Sequence, residues 1–230
     1  MDPFWLFGAA GFLLVGVVGY IGYQQEKKRR AQLMAFARSQ GWTYSASDDS
    51  WADRFEGAPF GTGDDRTVTN ILSGPWQGEQ ILAFDYSYET STTDSKGNRR
   101  TTTHRFAVCA LSLPGWLPTL ELRPENVLTR LGGALGLDDV ELESEDFNRR
   151  YRVRASNPKF AYDVLHPRTM EALLTGPARN LRLAGTAALC WEDGRLLPVE
   201  LLARLRALQV LVSGIPSFVW TDHATQGAPE

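Results

Sequence analysis

The chain has 230 residues, with 24 Lys and Arg against 27 Asp and Glu, a net charge of −3. Beyond Arg30 the balance is 20 basic to 25 acidic residues, a net charge of −5, which argues against a nucleic-acid binder held by bulk charge. That portion is long enough to bury a sizeable core, as one domain or as two small lobes.

From the start, residues 1–3 offer no positively charged leader, and Phe4 to Tyr23 carries no charged residue. Its twenty residues make a helix about 30 Å long, the thickness of a bilayer core, so the sequence predicts a membrane span. No small-residue cleavage site closes the run, which favours a retained anchor over a secretory signal. The basic run Lys27, Lys28, Arg29 and Arg30 lies only on its C-terminal side. The positive-inside rule therefore expects residues from 24 onward in the cytoplasm, with 1–3 as an external stub. Trp5 at one end and Tyr20 and Tyr23 at the other occupy the places of interfacial aromatics. Gly8, Gly11, Gly16, Gly19 and Gly22 project within an arc of about 140° at ~100° per residue, a face open to another helix. The expected partners are thus the lipid bilayer and a second copy or another membrane protein through the glycine face, with no nucleic acid.

Residues 24–40 read as a basic juxtamembrane helix, with Leu33, Met34, Phe36 and Ala37 at helical spacing and Gly41 at its stop. Residues 41–223 follow as the expected cytoplasmic domain, in which 41–123 and 124–223 could be separate lobes, and 224–230 form a polar tail. From Gln80 to Tyr88 the pattern is strand-like, with Leu82, Phe84, Tyr86 and Tyr88 on one face and Ile81, Ala83, Asp85 and Ser87 on the other. Arg105 to Leu113 is similar, and Ser95-Lys96-Gly97-Asn98 between them favours the turn of a long hairpin with a polar tip. Pro118 to Arg123 reads as a separate strand, and Pro124 as the opener of a short helix carrying Val127, Leu128 and Leu131 up to Gly132-Gly133. Val140 and Leu142 alternate with glutamates. The run from Phe147 to Ala155 then places Arg150, Arg152 and Arg154 on one face, where pairing with Glu141 and Glu143 across a hairpin is the simplest reading.

Asn157-Pro158 opens a helix, Met170, Leu173 and Leu174 belong to another, and Arg179 to Trp191 reads as strands ending in an Asp193-Gly194 turn. Leu201, Leu202, Leu205, Leu208, Leu211 and Val212 stripe an amphipathic helix from Pro198 to Gly214. Pro216 to Thr221 could close the chain as a strand. The expected fold is α+β: one N-terminal transmembrane helix, then a soluble domain with a mainly antiparallel sheet and a few covering helices.

Motifs of the common enzyme classes are absent from the sequence: no phosphate-binding loop, no G-x-S-x-G, no H-E-x-x-H and no C-x-x-C. No cofactor is implied, and His104, His166 and His223 are widely separated. Asp163 and His166, three apart, could form an acid–base pair, although a local helix-end contact is commoner. Asp85 stands between two aromatics in a strong strand, where a buried carboxylate would need a partner. Cys109 and Cys190 read as reduced core residues.

The glycine-rich start, Gly41-Trp42, Phe84-Asp85-Tyr86, Leu120-x-Leu122-Arg123-Pro124 and Ile215-Pro216-Ser217-Phe218 together resemble an uncharacterised family of bacterial single-span membrane proteins with a cytoplasmic domain of unknown function. The resemblance implies no activity, cofactor or catalytic residues. The expected function is a membrane-anchored cytoplasmic interaction or scaffold module. The alternative is a membrane-associated hydrolase or small-ligand sensor whose site forms only in the fold.

Overall fold

A computed structural model of the chain describes residues 4–125 and 136–224, with side-chain surroundings described over 16–125 and 136–222. Helix α1 (Phe4–Gln40) is continuous over 37 residues, about 55 Å at ~1.5 Å per residue. It stops where Gly41 takes φ +70, with Gly41 N and Trp42 N bonded back to Arg38 O and Ala37 O, a glycine-terminated end.

The expected membrane span is corrected by this helix. Among the described residues no helix is long and apolar enough to cross a membrane. From Gly16 onward every 18-residue window of α1 takes in the charged run Glu26 to Arg30. That run is also not a bare topology signal, because Glu26 and Arg29 are bound into the sheet domain. The transmembrane part of the expected fold class, and the single-pass placement with the N-terminus outside and the rest in the cytoplasm, fall with it.

Seven strands make an antiparallel sheet among the described residues: β1 (Thr43–Ser47), β2 (Asp64–Trp76), β3 (Glu79–Thr93), β4 (Arg99–Pro124), β5 (Asp138–Val140), β6 (Tyr151–Ala155) and β7 (Asn180–Asp193). The order is β1-β2-β3-β4-β6-β5, with β7 also on β4. Strand β4 absorbs both strands expected between Arg105 and Arg123. Its first half pairs with β3, its second half with β6, and β7 follows it through both. Register shifts between Ser112 and Leu120, around Pro114 and Gly115, let this ribbon bend without breaking. The bend is sharp enough that the two ends of β7 meet: Asn180 Nδ2 donates to Trp191 O at 3.1 Å, and Arg179 pairs with Glu192.

The hairpin tip forms at Asp94, whose Oδ1 accepts from Lys96 N and Asn98 N at 2.9 Å each, with Gly97 at φ +82. Both faces of the β3–β4–β7 region are covered. Phe84, Tyr86, Val108 and Trp191 pack beneath the segment 48–63 through Phe60 and Phe55, while Ala83, Ala107, Cys109 and Cys190 belong to the larger core with Leu33 of α1. Helix α5 (Pro198–Ser213) contributes its buried Leu201, Leu205, Leu208 and Leu211 to that core. Arg204 pins it to β7 by bonding Glu192 at 2.7 Å. Cys109 and Cys190 stand opposite each other in register and are free thiols, wholly buried.

Several local expectations change. Phe147 lies in a short helix, α2 (Glu145–Arg150), because Ser144 Oγ caps it at Phe147 N. Only Tyr151–Ala155 continues as strand. Its arginines pair with Asp139 rather than with the glutamates, at 2.6 Å for Arg152 and 3.5 Å for Arg154. Arg150 instead donates to Gly176 O. Helices α3 (Pro158–Val164) and α4 (Pro167–Leu174) open at their prolines. The closing segment is a helix, α6 (Ser217–Ala224), with Val219 buried, so packing overrides its strand propensity. The helix expected after Pro124, with Val127, Leu128 and Leu131, falls outside the described residues.

Candidate functional site

At the base of α1, residues from three segments converge on one carboxylate of β3. The alternation of β3 puts Asp85 on the face with Ala83 and Ser87, the face that α1 covers. Asp85 is therefore 9% exposed rather than solvent-facing. Opposite it, β2 shifts register between Thr69 and Leu72, and Asn70 takes φ +53. Asparagine tolerates this conformation better than most residues, and the bulge aims its amide at the carboxylate. Asn70 Nδ2 donates to Asp85 Oδ2 at 2.8 Å, while its Oδ1 accepts from Tyr44 Oη at 2.7 Å.

From the β7–α5 link, Leu196 N donates to Asp85 Oδ1 at 2.6 Å. Gly194 at φ +111 turns the chain there, and its N–H bonds Arg105 O at 2.8 Å. From α1, Arg29 Nη1 reaches Asp85 Oδ2 at 2.7 Å and Leu196 O at 3.1 Å. Asp85 thus has the partners that its burial demands.

Arg29 also makes a two-pronged contact with Glu26, Nε to Oε2 at 3.1 Å and Nη2 to Oε1 at 2.9 Å. Glu26 accepts in addition from Arg30 Nε at 3.1 Å and from Arg195 Nη1 at 2.7 Å. Burial pushes the Glu26 carboxyl up, but hydrogen bonds from Arg29 and Arg30 and the charges of Arg29 and Arg195 outweigh it and hold the group down at about 2. The same carboxylates raise Arg29 above the ordinary arginine value against the opposing effect of its burial.

Around this junction lies a half-open cleft of about 230 Å³, lined by Arg29, Arg30, Arg105, Arg195, Glu26 and Asp85, with Thr69, Tyr86, Ser87 and Gly194 completing the wall. Its chemistry is charge recognition, because guanidinium forks match planar and tetrahedral oxyanions. Among the described residues no group of three His, Cys, Asp or Glu gathers as a metal-binding cluster.

Of the residues singled out in the sequence, Asp85, Arg29 and Arg30 come together here. Asp163 and His166 do not meet as a pair: Asp163 accepts from Lys159 Nζ at 2.7 Å, and His166 Nε2 lies 3.1 Å from Thr169 Oγ1. His104 is elsewhere, stacked on Tyr88 at 4.8 Å with Thr90 Oγ1 2.9 Å from its Nε2. Lys27, Lys28, Tyr20 and Tyr23 are exposed, and Gly16, Gly19 and Gly22 have nothing within 4 Å of an added Cβ. The surroundings of Trp5, Gly8 and Gly11 lie outside the described residues. Sequence reasoning missed Glu26, Asn70, Arg105 and Arg195. The available signal for Asn70 was an amide inside an apolar strand, and for Arg195 a cation directly after the Asp193-Gly194 turn.

No family model matches the chain, and no curated protein matches it. Among solved structures the chain is similar to the crystal structure of the mycobacterial trehalose monomycolate transport factor A, TtfA. The TM-score is 0.63 at 17% identity, over 81% of this chain and 96% of that one. At that identity the likeness is one of fold.

Proposed function

We propose that this chain is an interaction module that presents residues 16–23 of α1 to an apolar helical surface of a partner protein. One observation carries the reading: Val17, Val18, Tyr20, Ile21 and Tyr23 are all between 48% and 65% exposed on a helix whose base is fixed to the sheet. A contiguous apolar surface of this kind is what interaction sites expose. The open positions at Gly16, Gly19 and Gly22 leave room for close approach of another helix. The likeness in fold to a protein named a transport factor is the reason for seeking the partner in a transport assembly.

The test is a photo-crosslinking side chain placed at Val18 of the full chain in its native cells, with a control at Val199, which is 86% exposed on α5. A discrete heterologous adduct from Val18, absent from the Val199 control and lost in the Val17→Asp/Ile21→Asp variant, is expected. Equal labelling from both positions would overturn the reading. An adduct of two copies of the chain would assign the face to self-association instead.

A second reading, a small-ligand sensor, is favoured by the surplus of arginines in the cleft.

A further inference from the structure

The cleft at the base of α1 holds more positive charge than the fold uses. Four guanidiniums, Arg29, Arg30, Arg105 and Arg195, face two carboxylates, Glu26 and Asp85, an excess of two positive charges. Arg29 is committed, with all three of its nitrogens engaged on Asp85, Glu26 and Leu196 O. The other three are not. Arg30 and Arg195 each use a single nitrogen on the shared carboxylate of Glu26 and stay 49% exposed. The Arg105 side chain makes no hydrogen bond or ion pair among the described residues, yet it lines the same cavity. A structural ion-pair cluster would balance its charges, and it would not need Arg105.

We infer that this cleft is a binding site for a dianionic oxyanion of the phosphomonoester class, gripped by Arg30, Arg105 and Arg195. Three features select that class. The charge excess of two matches a dianion rather than a monocarboxylate. The three forks come from separate segments, α1, β4 and the β7–α5 link, so they approach a ligand from several sides, as a tetrahedral group with several acceptor oxygens requires. The cavity of about 230 Å³ exceeds what phosphate fills alone and is half open, which suits a phosphoryl group whose ester substituent leaves through the mouth. The Thr69 hydroxyl, on the wall and half-buried, makes no hydrogen bond among the described residues and adds a neutral donor. Arg29 stays on Asp85 as a positioning residue that keeps α1, and with it Arg30, against the sheet. This inference rests on the cleft alone and holds whether or not the exposed part of α1 meets a partner.

The test is titration calorimetry on the full chain at matched ionic strength with sodium chloride as the blank. The titrants are inorganic phosphate, glycerol 3-phosphate, acetate and dihexanoyl phosphatidic acid below its micelle concentration. Saturable binding of the phosphate compounds, with acetate at least about tenfold weaker, is expected. Arg105→Ala/Arg195→Ala is expected to weaken glycerol 3-phosphate by about tenfold or more while keeping the wild-type circular dichroism spectrum. Comparable affinities for glycerol 3-phosphate and the phosphatidic acid identify a small soluble phosphoester, and a large preference for the latter identifies a lipid headgroup. Absence of binding beyond the chloride blank, acetate binding as well as phosphate, or unchanged affinity in the double variant each overturns the inference.

Discussion

Arg29 Nη1 lies 2.7 Å from Asp85 Oδ2, with both side chains only 12% exposed, and this contact joins α1 to the middle of the sheet. The pair is embedded: Asn70 and Leu196 N hold the carboxylate, and Glu26 and Leu196 O hold the guanidinium. Removing one partner leaves the other charge poorly compensated in a desolvated place, which costs far more than the pair contributes net. Arg29→Met is therefore expected to destabilise the protein by about 3 kcal/mol in urea unfolding. In an Asp85→Asn background the same substitution should cost much less, because no buried carboxylate is then abandoned. Equal costs in the two backgrounds would show that the pair is not coupled.

Glu26 gives this junction a pH dependence. Its folded-state carboxyl sits at about 2, below its ordinary 4.5, so the ionised form is favoured by folding. The stabilisation is fully present above pH 4.5 and is lost as the pH falls through about 2. Glu26→Gln should accordingly unfold at lower urea than the wild type at pH 6, with the gap between the two midpoints closing as the pH approaches 2.5. A gap that stays constant over that range would remove Glu26 as the titrating group.

Arg182 performs the comparable task on the other face of the sheet. It is wholly buried, pairs with Glu121, and donates to the carbonyl oxygens of Gly57 at 3.0 Å and Ala58 at 2.7 Å, with its guanidinium 4.7 Å above the Trp191 ring. Burial lowers its pKa even though the charge of Glu121 opposes the shift. These bonds tie the irregular segment around Phe55 and Phe60 onto the aromatic face of β3. Arg182→Met should release that segment locally before the sheet unfolds, and trypsin should cut after Arg54 at least several-fold faster than in the wild type. Unchanged cleavage, with loss of global stability alone, would make Arg182 a core ion and not a latch.

The parts legible in the sequence were those set by local chemistry. The polar hairpin tip at Gly97, the helix opening at Asn157-Pro158 and the stop at Gly41 each follow from a residue's own backbone preference. Asp85 was visible as a carboxylate in need of a partner, but the identity of that partner was not. Arg29 lies far away in the chain, and its local neighbours, a long uncharged run and three further basic residues, point to a topology signal. The membrane span failed because, among the described residues, every 18-residue window of α1 takes in the charged run Glu26 to Arg30, and Glu26 and Arg29 of that run are spent on the sheet domain. The bend of β4 was unreadable because Pro114 and Gly115 signal a break, whereas continuous pairing with β7 carries the strand through. In α6 the aromatic and β-branched run favoured a strand, and burial of Val219 against the core decided otherwise.

The attachment of α1 depends on one further close approach. Trp42, directly after the helix stop, is 5% exposed, meets Phe36 edge-on at 5.7 Å and donates its indole N–H to Pro75 O at 2.8 Å. It can lie there only because position 74 is glycine: a Cβ on Gly74 would stand 2.4 Å from Trp42 Cδ1 and 3.1 Å from its Cα. A flexible side-chain end could move away, but the backbone of Trp42 is held by its bond to Ala37 O, so the indole or the strand must shift. Gly74→Ala is expected to cost about 1–3 kcal/mol through overpacking and to red-shift Trp42 fluorescence as the ring loosens, read in a variant series that assigns the emission of that tryptophan. Trp42→Phe in the Gly74→Ala background should recover part of the loss, since the smaller ring leaves room for the methyl group. Were Gly74→Ala as stable as the wild type with Trp42 emission unmoved, the close seating of the indole against β2 would be refuted.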